Sequence, residues 1–327
     1  MPPMLVSVFL FAIGLVLLIK GGDWFVDGAT GIAKRFHLPD IVVGATVVSI
    51  GTTLPEVMVS TTGALAGSGA MAYGNAIGSI ICNTALIAAI SITCNPGPVN
   101  VKSMKTPALF FFASAAIYCL AAYGLGTFPR WLGFVMLAVF ACYMIMTVRN
   151  GLKNPDAAAQ EEEEESKPKK LWQELLLLVV GAAVIAVGAD LLVDHGQIIA
   201  IGLGVPETVV ALLFVALGTS LPELVTTITS LKKGRASLGV GNVIGANVFN
   251  LVLVSGVAVS LAPFDVPVEN ELLNTGLNLS LVFDIPVMLG VMSLMIFPAL
   301  VNKKLGRWQG IALLCIYAAF CVCQFVL

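Results

Sequence analysis

Two glutamates stand in nearly identical surroundings: Glu56 closes the phrase GTTLPE at 51–56, and Glu223 closes GTSLPE at 218–223, each inside a long apolar run. A carboxylate in hydrocarbon is expensive and is retained where it faces a bundle interior and binds a proton, an ion or a partner charge. Around each glutamate the chain offers more hard oxygen: the hydroxyls of Thr52, Thr53, Thr219 and Ser220, and main-chain carbonyls near Ser49 and Ala216. Asn83 and Asn250 each follow their glutamate by 27 residues, and Ser79 precedes Asn83 by one turn. About six to eight oxygens suit Ca2+ and smaller sets suit Na+, whereas zinc and copper favour the Cys and His that these positions lack. Two carboxylates carry a charge that one divalent cation neutralises and that Na+ ions or protons also compensate. Competition for such a charge-limited site is a physical basis for exchange.

The two phrases belong to a duplication. Residues 14–83 align without a gap on 181–250 at a constant offset of 167, with about a third of the pairs identical. The identities include Gly14/Gly181, Gly21/Gly188, Asp23/Asp190, Asp27/Asp194, Pro39/Pro206, Gly74/Gly241, Asn75/Asn242, Ile77/Ile244, Gly78/Gly245 and Asn83/Asn250. Chance matches in apolar sequence fall on Leu and Val, not on Gly, Pro, Asp and Asn in step.

The surrounding composition decides the solvent. With 58% hydrophobic and 11% charged residues, the chain cannot present an ordinary aqueous surface, which needs about a quarter of its residues charged. Apolar stretches long enough to cross about 30 Å of hydrocarbon as helix occur at 4–20, 41–66, 73–94, 107–124, 130–148, 171–193, 205–230, 238–262, 282–301 and 309–327. The expected fold is therefore an all-α membrane protein of ten transmembrane helices, five per copy. Every Lys and Arg except Arg130 falls on one side of this layout, which the positive-inside bias makes cytoplasmic, with both termini on the other side. Because five is odd, the second copy enters from the opposite face, and the copies form two inverted-topology repeats. The expected domains are a first repeat at 1–148, an acidic cytoplasmic linker at 149–170 containing Glu161–Glu165, and a second repeat at 171–327. The linker reads as a solvated charge run. The first span lacks the basic start of a secretory signal and is expected to stay in the protein.

Pro55 and Pro222 lie mid-span, so the second and seventh helices are expected to break around Gly51–Pro55 and its counterpart. Broken helices at matching places in inverted halves point to a transporter's binding site. Gly74, Gly78, Gly241 and Gly245 have the small-xxx-small spacing that packs helices closely, and Asp23, Asp27, Asp190 and Asp194 are expected near helix ends. The seven cysteines form no ligand pair, His37 and His195 read as interfacial, and no phosphate loop, nucleophile elbow or HExxH occurs. No cofactor and no nucleic-acid partner is expected.

The paired G-T-[TS]-L-P-E phrases, each followed by G-N-x-I-G and then Asn, resemble the two α-repeats of the calcium/cation antiporter superfamily, which includes the sodium/calcium exchangers. The resemblance covers essentially the whole chain outside the linker. It implies Na+/Ca2+ exchange at a cell membrane by alternating access, with the first and sixth helices moving past a rigid core and a monomer sufficient for transport. It also implies Glu56 and Glu223 as shared Ca2+ and Na+ ligands, with Thr52, Thr53, Thr219, Ser220, Ser79, Asn83 and Asn250 as further oxygens and the carbonyls of Ser49 and Ala216 completing the set.

Two positions depart from the family pattern. Many relatives carry Asp where Asn250 stands, which points to exchange independent of K+, and Ser is common where Ala246 stands. The short linker replaces the large cytosolic calcium-binding domains of eukaryotic members, as in a compact prokaryotic exchanger. From the residues alone, H+/Ca2+ exchange, an intramembrane hydrolase using the acid pair, and a passive cation channel remain alternatives.

Overall fold

A computed structural model describes residues 3–153, 170–203, 218–267 and 278–326, and within them the chain is almost wholly helical. We number the helices α1 (Pro3–Arg35), α2 (Asp40–Leu65), α3 (Gly69–Cys94), α4 (Val101–Leu125), α5 (Arg130–Leu152), α6 (Leu171–Gly202), α7 (Leu221–Lys232), α8 (Ala236–Leu261), α9 (Ser280–Asn302) and α10 (Arg307–Val326). Nine of these ten are long and apolar enough to cross a bilayer. The exception, α7, is the described portion of the expected seventh span, whose earlier residues, Ala216 among them, lie outside the described residues, as does the acidic run 161–165.

Two helices outrun their apolar stretches. α1 and α6 contain 33 and 32 residues, about 50 Å at 1.5 Å per residue, well beyond the hydrocarbon thickness, so they tilt or project from it. The expected end of the first helix at residue 20 is corrected to Arg35, and that of the sixth at 193 to Gly202. Asp23, Asp27, Asp190 and Asp194 therefore sit inside helices rather than at their ends. On α1 the acids have a partner, since Lys233 Nζ lies 2.7 Å from Asp27 Oδ1 and 3.6 Å from Asp23 Oδ1, while Asp190 and Asp194 on α6 are exposed. Arg35 binds Glu174 at 2.8 Å across α1 and α6, and Arg235 binds Asp40 at 3.1 Å.

The inverted repeat is visible in the packing. α1 runs along α6 over much of its length. A Cβ on Gly14 would meet the Gly188 carbonyl at 2.9 Å, and a Cβ on Gly188 would meet the Gly14 carbonyl at the same distance. Gly21 and Gly181 face one another in the same way, at 3.1 and 2.9 Å. Since Gly14 corresponds to Gly181 and Gly21 to Gly188, the seam maps onto itself when the repeats are exchanged, which requires the two helices to be antiparallel. Small residues let helix backbones approach this closely.

Two short sheets join the halves symmetrically. β1 (Gly97–Pro98), between α3 and α4, pairs antiparallel with β4 (Lys304–Leu305), between α9 and α10. β2 (Thr127–Phe128), between α4 and α5, pairs with β3 (Phe264–Asp265), between α8 and α9. Each sheet takes one strand from each repeat, and exchange of the repeats interchanges the sheets. The turns before α3 and α8 carry Gly67 at φ 86° and Gly234 at φ 70°. These glycines are another pair at the offset of 167, conserved within the chain because a side chain is strained there.

The expected break in α2 takes a different form. The helix continues through Pro55, and the interruption is a π-helical segment upstream at Gly44–Val48. Its wide turn frees carbonyls that lipid cannot satisfy, and side chains take them up. Thr46 Oγ1 donates to Val42 O at 2.7 Å, Ser49 Oγ to Gly44 O at 2.8 Å, and Tyr143 OH from α5 to Ala45 O at 2.7 Å. In the second repeat the chain turns at Thr219–Ser220, and α7 starts at Leu221 with Pro222 in its first turn, where a missing N–H costs nothing.

Gly181→Val places a side chain 2.8 Å from Phe25 Cα and 2.9 Å from the Gly21 carbonyl. This is expected to cost about 1–3 kcal/mol by overpacking, read as a lower melting temperature in detergent; an unchanged value would mean that the seam is not closed. Tyr143→Phe leaves the buried Ala45 carbonyl without its donor and is expected to cost a further, separate amount of about 1–3 kcal/mol in the same measurement.

Candidate functional site

Four helices converge on the glutamates. α8 lies directly on α2, since a Cβ on Gly241 would meet Ile41 Cα at 2.8 Å and one on Gly245 would meet Ala45 Cα at 2.6 Å. That contact bears out the packing expected of this glycine pair. Gly74 and Gly78, the matching pair on α3, meet no described atom within 4 Å, and the chain that corresponds to Ile41–Ala45 in the second repeat lies outside the described residues.

Glu56 and Glu223 are both fully buried. Thr53, one turn before Glu56 on α2, places its hydroxyl 3.5 Å from Glu223 Oε1 on α7, so the two glutamates lie on helices that touch. Among the described residues neither oxygen of Glu56 nor Oε2 of Glu223 has a hydrogen-bond partner. Two acids brought together in this way cannot both be charged in a low-dielectric interior without compensation.

The remaining expected residues gather around the pair. Asn83 and Asn250 are fully buried, and none of their side-chain nitrogen or oxygen atoms has a partner among the described residues. Each opens a π-helical segment, Asn83–Ala88 in α3 and Asn250–Val254 in α8. The first segment packs against α7, α8 and α10, and the second against α2, α3 and α5, so each segment touches the helix that carries the other repeat's glutamate. Ser79 is buried one turn before Asn83. Ser220 is buried with an unpartnered hydroxyl, beside Cys82 of α3. Ser49 is buried and its main chain is helical rather than unwound. Its hydroxyl reaches Asn242 O at 3.0 Å and Asn242 Oδ1 at 3.2 Å. Ala216 lies outside the described residues.

Sequence reasoning assigned no role at the site to Asn75 and Asn242, yet both sit inside it. Thr52 Oγ1 donates to Asn242 Oδ1 at 3.1 Å, and Thr219 Oγ1 to Asn75 Oδ1 at 3.4 Å. Asn75 Nδ2 in turn donates to the main-chain oxygen of Glu56 at 3.2 Å and to Ser60 Oγ at 2.8 Å. Their identity at the offset of 167 was the available signal, and it served only as evidence of the duplication.

The outcome is a buried group of carboxylate, hydroxyl and amide oxygens, supplied by both inverted repeats. Such a donor set suits hard cations.

Known proteins resemble this chain over most of its length. The family model described as sodium/calcium exchanger protein matches residues 6–149 and 174–326. The sodium/calcium exchanger MaX1 of Methanosarcina acetivorans is 30% identical, with 98% of this chain and 99% of that protein covered. The inner membrane protein YrbG of Escherichia coli is 30% identical over 80% of this chain and 82% of its own length. A solved structure of the sodium-calcium exchanger NCX_Mj soaked with 2.5 mM Na+ and 10 mM Sr2+ superposes with a TM-score of 0.78 at 32% identity, covering 97% of this chain and 98% of that one. Duplicated helices, a paired-acid interior and family matches over nearly the whole length lead to one assignment: this multi-pass membrane protein belongs to the sodium/calcium exchanger family, a family of transporters rather than enzymes.

Proposed function

We propose that the chain exchanges Na+ for Ca2+ by alternating access, independently of K+, with Glu56 and Glu223 as the ligands that both cations share. The observation that carries this reading is the pair of fully buried carboxylates, one per repeat, with three of their four oxygens unpartnered among the described residues. Ca2+ satisfies that charge in one step and Na+ ions satisfy it together, so each ion leaves when the other arrives. Thr52, Thr53, Thr219, Ser220, Ser79, Asn83 and Asn250 supply neutral oxygens, and the carbonyls of Ser49 and Ala216 extend the set for Na+. Asn250 adds no third negative charge, which supports a cycle without K+. The solved NCX_Mj structure, soaked with Na+ and Sr2+, supports the choice of ions.

The same reading gives a five-helix repeat at 1–148, a cytoplasmic linker at 149–170 and an inverted repeat at 171–327. It puts the protein in the cell membrane, the inner one where there are two, with both termini away from the cytoplasm. With three Na+ moved per Ca2+, one net charge crosses per cycle, so about 2.3 kcal/mol of driving force accompanies each 100 mV.

Proteoliposomes loaded with Na+ and diluted into Na+-free buffer are expected to take up Ca2+, and K+ on either side should not change the rate. Glu56→Gln and Glu223→Gln should each reduce uptake to the level of protein-free vesicles. Uptake that follows a pH gradient and ignores Na+ would assign the protein to H+/Ca2+ exchange instead, and uptake retained by either variant would remove the proposed ligands.

A further inference from the structure

The crossed contacts between the repeats have a chemical direction. An amide oxygen can only accept, so where Thr52 meets Asn242 Oδ1 at 3.1 Å and Thr219 meets Asn75 Oδ1 at 3.4 Å, the threonine hydroxyl is the donor. The orientation of the Asn75 amide is fixed independently. Its Nδ2 faces the main-chain carbonyl of Glu56 at 3.2 Å, and a carbonyl likewise only accepts, so Oδ1 must be the atom turned to Thr219. Asn242 is its counterpart at the offset of 167 and is fully buried, with the Thr52 hydroxyl 3.1 Å from its Oδ1.

A hydroxyl offers one proton and two lone pairs. If the proton points into the site it repels a cation, and if it points away both lone pairs are free for coordination. Thr52 faces this choice because Glu223, whose Oε1 lies 3.5 Å from the hydroxyl of the adjacent Thr53, offers a second acceptor on the facing helix. A proton given to Glu223 lies where a bound cation must sit.

We infer that Asn75 and Asn242 are positioning residues for cation binding: each takes the hydroxyl proton of the opposite repeat's threonine and so turns that oxygen's lone pairs into the site. The inference rests on the ion-site reading of Glu56 and Glu223, and it assigns the asparagines no ion contact of their own. It also makes each half of the site depend on the other repeat, because neither repeat holds both an asparagine and the threonine it orients.

A double-mutant cycle on the full-length protein in proteoliposomes tests it, with the KM for Ca2+ and the maximal rate measured separately. Asn242→Ala and Thr52→Val are each expected to raise the KM about tenfold with a smaller change in maximal rate, and the double variant is expected to be no worse than either single one. Once the hydroxyl is gone, the asparagine has nothing left to orient. Asn242→Asp, which keeps an acceptor at the same position, should restore the KM to within about threefold of the parent. Additive effects, near a hundredfold in the double variant, would overturn the inference, and so would an unchanged KM in Asn242→Ala. Should the Asn242 variants fail to elute as monodisperse protein, the same cycle on Asn75 and Thr219 decides by the same criteria. Glu56→Gln run in parallel separates the two levels: activity retained there defeats the ion-site reading itself, whereas loss there with an additive cycle defeats only the role of the asparagines.

Discussion

A pair of acids buried against one another, with no cationic side chain beside them among the described residues, is the constraint from which the rest of the structure follows. Ion pairs among the described residues lie elsewhere, at Asp23, Asp27, Asp40 and Glu174. Burying an unpaired carboxylate costs several kcal/mol, and breaking a buried pair leaves that cost exposed. Glu56 and Glu223 can therefore be charged together only when a cation arrives from outside the polypeptide. The surrounding architecture prepares for that arrival: α8 rests backbone to backbone on α2, π-helical segments begin at Asn83 and Asn250, and hydroxyls line the approach between them. Each feature is weak alone and consistent with the others, which is how a polar site survives in an apolar bundle.

Duplication supplies the symmetry, and later divergence supplies the direction. Lys233 ties α1 to the α7–α8 turn through Asp23 and Asp27, but residue 66, its counterpart in the first repeat, is alanine, and the matching Asp190 and Asp194 are both exposed. Inside the core, Asn247 donates to Thr84 at 2.7 Å, while the residue corresponding to Asn247 is Ile80 and the one corresponding to Thr84 is Leu251. Ser49 and Ser79 have Ala216 and Ala246 as counterparts. A strictly two-fold molecule would present the same face to either side of the membrane. These substitutions make the two faces, and the two halves of the site, inequivalent without disturbing the shared scaffold.

Much of this was legible in the residues, and the rest was hidden for identifiable reasons. The glutamate pair, the offset of 167 and the helix count could be read because charge and glycine are rare in an apolar chain, and rare residues keep register. The length of α1 could not be read from hydropathy, since Asp23 and Asp27 resemble the end of a span until Lys233 is known to neutralise them. The form of the α2 interruption was hidden as well. Proline marks a missing donor, but where a helix widens depends on which side chains can cap the freed carbonyls, and here Thr46, Ser49 and the distant Tyr143 do so upstream of Pro55. The asparagines at 75 and 242 were visible as identities but not as functional groups, because only tertiary contact reveals that each serves the opposite repeat.

The contrast between the seams bears on movement. Where α8 meets α2, the hydrogen bond from Thr52 to Asn242 and the close approach of Gly241 and Gly245 to the α2 backbone fix the register, so sliding by one residue would break a buried polar contact at about 1–3 kcal/mol and disturb that backbone contact. Where α1 meets α6, glycines at 14, 21, 181 and 188 present bare backbone, and the ion pair across the seam is Arg35 to the buried Glu174, while the exposed bridge from Lys233 runs from α1 to the α7–α8 turn. The Lys233 bridge, at solvent-accessible positions, contributes about 0–1 kcal/mol. The energetic resistance to displacement is therefore concentrated around the acids and is small along α1 and α6, so a motion that opens the site to one face and then the other costs least if those two long helices move while α2, α3, α7 and α8 hold their register.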